Sequence, residues 1–203
     1  MDNTSVRERL IESGIQLFRE YGYHGTGIQR IASHAGIPKG SFCFYFRSKE
    51  AFAADVIARY ASGIAGNILA YEDREDLSPS DRLLAYFKDA VSSMKRGPYR
   101  GCTIGNLLAE IGDTNQELQK HLRQAWDSVV VALARLVYDA QESGGIDGAQ
   151  DPHELAEHLL GGWEGALVAM RAKQGTEPLE LFIKRGLEPH INQTGKSKGT
   201  RNG

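Results

Sequence analysis

Apolar residues recur at three- and four-residue spacing along almost the whole chain, and Gly and Pro punctuate them; that pattern is met by helices. The first stretch, Thr4 to Tyr23, carries Val6, Leu10, Ile11, Ile15, Leu17, Phe18 and Tyr21. Thr4 or Ser5 can cap it, and Glu8, three positions after Ser5, completes a capping box. Gly22-Tyr23-His24-Gly25 stops this helix, and Thr26 is the expected N-cap of a short second one ended by His34-Ala35-Gly36. Pro38 suits the first turn of a third helix reaching about Phe46, and Ser48 caps a long fourth one towards Tyr71. Further helices are expected after Ser80, over Cys102 to Ile111, over Thr114 to Glu142, from an Asp151 cap to about Ala172, and from Glu177 to about His190. Residues 192–203 have the composition of a disordered tail. No repeat and no strand-like alternation interrupts the pattern, so the class is all-α.

Composition narrows the setting. A 203-residue chain with 41% hydrophobic and 25% charged residues can bury a sizeable core without staples and is too apolar for disorder. No apolar run approaches the 18 or so residues of a membrane span, so no membrane partner is expected. Met1-Asp2-Asn3-Thr4 lacks a basic region leading into an apolar one, which points to a cytoplasmic protein. Cys43 and Cys102 cannot build a disulfide scaffold or a thiolate zinc site. His121, His153 and His158 show no ligand spacing, so neither metal nor cofactor is expected. The net charge of −2 is unevenly spread: residues 1–50 carry +2, residues 51–194 carry −7 and the last nine carry +3. A cationic head on an anionic body fits a local polyanion contact.

That contact has an obvious place. Thr26 to Lys49 reads TGIQRIASHAGIPKGSFCFYFRSK, two short helices around a tight Ala35-Gly36-Ile37 turn. Ile31 and Ala32 would pack against Ile37 and Phe42, and Gly36 supplies a conformation that branched residues resist. In a helix-turn-helix the second helix, about residues 38–45, enters a major groove of double-stranded DNA. Lys39 suits guanine, Ser41 suits base or phosphate, and Gly40 lets the backbone approach. From spacing alone, a helical hairpin that merely packs stays open as the alternative.

The segment resembles the DNA-binding domain of the TetR family of repressors. The matching residues are Thr26, Ile31-Ala32, Ala35-Gly36, Gly40, Phe42 to Phe46 and Ser48-Lys49-Glu50, with Phe18 and Tyr21-Gly22 upstream. The resemblance implies an N-terminal three-helix helix-turn-helix head over residues 1–47 and a larger helical body over 48–191. The body would bind an effector and dimerise. It also implies a homodimer on operator DNA, with Thr26, Gln29, Lys39, Gly40, Ser41, Cys43, Tyr45 and Lys49 as the DNA-binding set. Cys43 departs from the family pattern, where a Tyr commonly offers its hydroxyl to a phosphate; Cys is a weak donor, and Tyr45 is the candidate replacement.

A second stretch, Arg100-Gly101-Cys102-Thr103-Ile104-Gly105-Asn106-Leu107-Leu108-Ala109-Glu110, is similar to one branch of that family, which includes an electrophile sensor and an acrylate-responsive regulator. Gly162 to Leu167 and Glu177-Pro178-Leu179 fit the same branch. Cys102 opens a helix near Lys95, Arg96 and Arg100, a setting that favours a thiolate, so a reactive sensor thiol is one reading and an inert packed thiol the other. Tyr86, Tyr99, Asn106, Trp126, His158, Trp163 and Met170 could line one cavity, with Cys102, Asn106 and Trp163 as the effector or sensor residues. Gly161, Gly162, Gly165 and Ala166 would let a partner helix approach closely, either from a second subunit or from the same one. The expected function is a transcriptional repressor released from its operator by a small-molecule or electrophilic effector, and not an enzyme. The competing reading is a cysteine-based hydrolase or transferase that uses the body cavity.

Overall fold

In the computed structural model, residues 5–95 and 97–191 are described, and the expected disordered tail lies outside them. Helix α1 (Val6–Tyr21) starts at the capping box: the Glu8 N–H donates to the Ser5 hydroxyl at 3.2 Å and the Ser5 N–H to the Glu8 carboxylate at 2.8 Å. Gly22, at φ +71°, ends it. The N-cap of α2 (Ile28–His34) is Gly27, not the expected Thr26. Thr26 is fully buried, and its hydroxyl donates to the Gly22 carbonyl at 2.7 Å, which ties the loop back to α1.

The turn to α3 (Lys39–Tyr45) closes with two bonds, Gly36 N–H to the Ser33 carbonyl and Ile37 N–H to that of Ala32. This is a Schellman pattern, and Gly36 at φ +68° takes the left-handed position. Ser48 caps α4 (Lys49–Leu69) as expected. Phe18, Phe42, Phe46 and Phe52 form the centre of the head, with ring centroids 5.0 to 5.9 Å apart. They hold α3 against α1 and α4. At Gly14 a Cβ would lie 2.5 Å from the Phe52 ring, so the close approach of α1 to α4 requires glycine there.

The body consists of the rest of α4 with α5 (Pro79–Met94), α6 (Thr103–Ile111), α7 (Gln116–Glu142), α8 (Pro152–Lys173) and α9 (Glu177–Phe182). The apolar stripe of α7, from Leu118 through Leu136, is buried against α4, α5 and α8. Ser78 caps α5, rather than Ser80, because Pro79 occupies the first helical position. Asn115 caps α7, and Asp151 caps α8 as expected. The last helix differs in form: α9 passes into a π turn, Ile183–Leu187, and a 3₁₀ turn, Glu188–His190. Pro189 has no N–H to return to Arg185, so an α-helical ladder cannot continue through it.

A reading head and a cavity joined by one helix

Phe42 and Phe46, one turn apart, face inward, and so the residues between them face out. Lys39, Gly40, Cys43 and Tyr45 are exposed, and Ser41 is half-buried. No atom lies within 4 Å of the space a Gly40 side chain would take, so the backbone there is open to approach. Phe44 is 85% exposed, a large aromatic residue presented on α3. The inward i,i+4 pair of Phe42 and Phe46 implies its outward direction. Gln29 is exposed on α2 and its amide donates to Ser33 at 3.3 Å. Thr26 is enclosed in the fold, so it positions the loop before α2 and does not face outward. Lys49 is half-buried: its Nζ donates to the Tyr23 carbonyl at 2.6 Å and lies 4.0 Å from the centroid of that ring. Burial lowers the Lys49 pKa against the pull of Glu110 and Glu50. One of its three donors is thus committed to the protein.

Tyr23 is the point where head and body are fastened. Its N–H donates to Glu110 Oε2 at 2.9 Å and the His24 N–H donates to Glu110 Oε1 at 2.7 Å. The Tyr23 hydroxyl donates to Glu50 at 2.9 Å. Glu110 stands near the end of α6, so one carboxylate of the body accepts from two backbone N–H groups of the turn that follows α1. Arg100 to Glu20, at 3.0 Å, adds a second, more exposed link.

The other end of α6 opens onto a cavity of about 150 Å³. Tyr60, Tyr86, Trp126, Trp163, Cys102 and Glu164 are among its walls, and Arg19 of α1 also lines it. Of the expected lining residues, Tyr86, Trp126 and Trp163 are there. Met170 is packed in the core, while Tyr99 and His158 lie elsewhere. Asn106 lines a separate depression beside Glu110 and Arg171; its amide donates to the Arg100 carbonyl at 2.9 Å, and it accepts from Arg171 at 3.3 Å. Asn106 and Trp163 are therefore not brought to one site.

Of the two readings left open for Cys102, a reactive thiol or an inert packed one, its surroundings oppose a thiolate. Burial, then the neighbouring Glu164 carboxylate, pushes the thiol up to about 12, and the N–H groups of Gly105 and Ile104 offset this only in part. Desolvation also raises the Glu164 carboxyl, against its hydrogen bond with Cys102. No histidine is among the residues that line the cavity, and the carboxylate beside the thiol raises its pKa instead of favouring a thiolate, so the hydrolase reading gains no support. Sequence reasoning missed Glu110 and Glu164. Both lie inside the branch-like stretches, and an acid within a locally apolar run, Ile104 to Ile111 or Leu159 to Met170, was the available signal.

An all-helical head that presents a short helix beyond a Schellman turn, fused to a cavity-bearing helical body, defines a helix-turn-helix transcriptional regulator. Residues 10–56 match the model of the tetR family of bacterial regulatory proteins, and residues 79–185 match that of the tetracyclin repressor-like C-terminal domain. The chain belongs to the TetR family and is a DNA-binding regulator. It is 32% identical to the HTH-type transcriptional repressor DhaR of Mycobacterium sp. (strain GP1), over 90% of this chain and 91% of that protein. It is 32% identical to the transcriptional regulator AcuR of Cereibacter sphaeroides, over 90% of this chain and 84% of that one. The crystal structure of reduced E. coli NemR is similar at a TM-score of 0.83 and 26% identity, covering 93% of this chain and 98% of that one.

Proposed function

We propose that the protein is a homodimeric repressor that leaves its operator when a small molecule occupies the body cavity. The observation that carries this reading is the placement of α6, whose first turn borders the cavity while Glu110 near its far end holds the backbone of the head. A ligand that shifts α6 would act on Tyr23 and His24 directly, and through them on the spacing of two heads in a dimer. The head would comprise residues 1–47 and the effector-binding and dimerising body residues 48–191. On DNA, Lys39 and Ser41 would read base edges, Gly40 would let the backbone close in, and Gln29, Cys43, Tyr45 and Lys49 would border the phosphates. Phe44 joins this set, with its apolar ring suited to a thymine methyl group.

The raised thiol of Cys102 favours a non-covalent effector over an electrophile. Dimerisation is supported by the outer face of α8 and α9, where Gly161 and Gly165 are open, Val168 is 68% exposed and Leu181 is 58% exposed. Gly162 serves the subunit itself: a Cβ there would lie 2.8 Å from the Phe182 ring.

A cavity-filling substitution tests the coupling without any ligand. Ala90 lines the cavity, and Ala90→Phe adds a ring of about the size that an apolar cavity near 150 Å³ admits. With an operator selected from random duplexes, the variant is expected to keep its helical circular dichroism and to bind at least about tenfold more weakly. Unchanged operator affinity would show that the cavity does not act on the head.

A further inference from the structure

Resting on the reading of this cavity as the effector site, the geometry points to the class of ligand: we propose that the effector is a small organic cation, a primary ammonium on a compact apolar body, held by Glu164. Among the described residues two charged ones line the cavity, and they differ in kind. Arg19 is exposed at its edge, on α1, where water screens it. Glu164 is half-buried on α8 and forms no ion pair among the described residues. Its partner within the cavity is the Cys102 thiol, a weak donor, so most of the acceptor capacity of the carboxylate is unused.

The site is shaped around that carboxylate. At Gly105, in the first turn of α6, a Cβ would fall 2.4 Å from Glu164 Oε2, so the glycine leaves the space in which the acid sits. The rest of the wall suits the same ligand. Tyr60, Tyr86, Trp126 and Trp163 bring four π-systems to one small volume, and aromatic faces attract cations most strongly where water is excluded. A buried carboxylate is costly unless a partner supplies the opposite charge, and an ammonium supplies it together with hydrogen-bond donors. A carboxylate ligand would meet like charge at Glu164. A neutral alcohol could donate one hydrogen bond but would leave the charge uncompensated. At about 150 Å³ the space takes a body near the size of benzene, which sets the ligand at roughly five to eight heavy atoms.

The chain has two tryptophans and both line this cavity, so intrinsic fluorescence reports on it directly. Three probes of one shape separate the possibilities at neutral pH: isobutylamine, 2-methyl-1-propanol and isobutyrate. The amine is expected to bind at least about tenfold more tightly than the alcohol, with isobutyrate the weakest. Glu164→Gln, nearly the same in shape, is expected to bring the amine down to the level of the alcohol while leaving the alcohol's affinity in place. Equal or tighter binding of the alcohol or of isobutyrate by the native protein would overturn the cation assignment and leave the cavity as a ligand site. Failure of all three to perturb the tryptophans would overturn the assignment and the effector cavity together.

Discussion

The two thiols of the chain sit in opposite surroundings, and their chemistry should follow. Cys43 is exposed on α3, whereas Cys102 is half-buried with its sulfur desolvated beside a carboxylate. With the Cys102 thiol near 12, only about one molecule in 10⁵ carries the thiolate at pH 7. Maleimide is therefore expected to label Cys43 first and Cys102 more than about tenfold more slowly. Because the raised pKa lies far above neutrality, the Cys102 rate should climb about tenfold for each pH unit through the alkaline range. Peptide mapping of a time course checks both points; faster labelling of Cys102 at neutral pH would restore the sensor thiol. The helix start and nearby cations that favour a thiolate in the sequence are outweighed here by burial, which no local pattern reveals.

Among the elements, α6 is short, but both of its ends are committed. At the head end, Gly22 combines φ +71° with a Cβ position 2.4 Å from Glu110 Oε2. With ψ −177° as well, Gly22 occupies a region that is essentially reserved for glycine, so Gly22→Ala should cost about 1–3 kcal/mol of stability in urea unfolding and also open the contact between Glu110 and Tyr23. A variant as stable as the parent would show that the junction gives way freely. The turn at Gly36 and the caps Ser5, Ser48 and Asp151 were legible because each is a local pattern within a few residues, and the helical class because its three- and four-residue spacing repeats along the chain. The caps at Gly27 and Ser78 were not, since Thr26 was drawn inward by Gly22 and Pro79 set the start of α5. Glu110 acts 87 residues away from Tyr23, and no periodicity carries that information. The exposed side of α3 was legible from motif spacing, while the split of Asn106 from Trp163 depended on how α6 and α8 pack.

For the whole molecule, the apolar face of α8 and α9 is the test of assembly. Leu181 is exposed beside the groove between α8 and α9 that Gly162, Ala166 and Ala169 also line, so Leu181→Glu should leave the monomer folded while placing a charge in any interface built there. The expected result is a dimer in the native protein and a monomer in the variant by light scattering at micromolar concentration, with operator affinity lost together with the dimer. A dimeric variant would place the interface elsewhere. The carboxylate of Glu110 on the Tyr23 and His24 backbone also has a meaning for a cell that carries this regulator. If ligand acts by weakening that contact by about the worth of one charge-assisted hydrogen bond, the coupling falls within the usual range of about 1–3 kcal/mol, which is roughly a 5- to 150-fold change in operator affinity. That ratio bounds how far transcription can rise above its basal leak, however much inducer accumulates. A wider range of expression would need a stronger joint, and a stronger joint would in turn raise the dose at which the gene first responds.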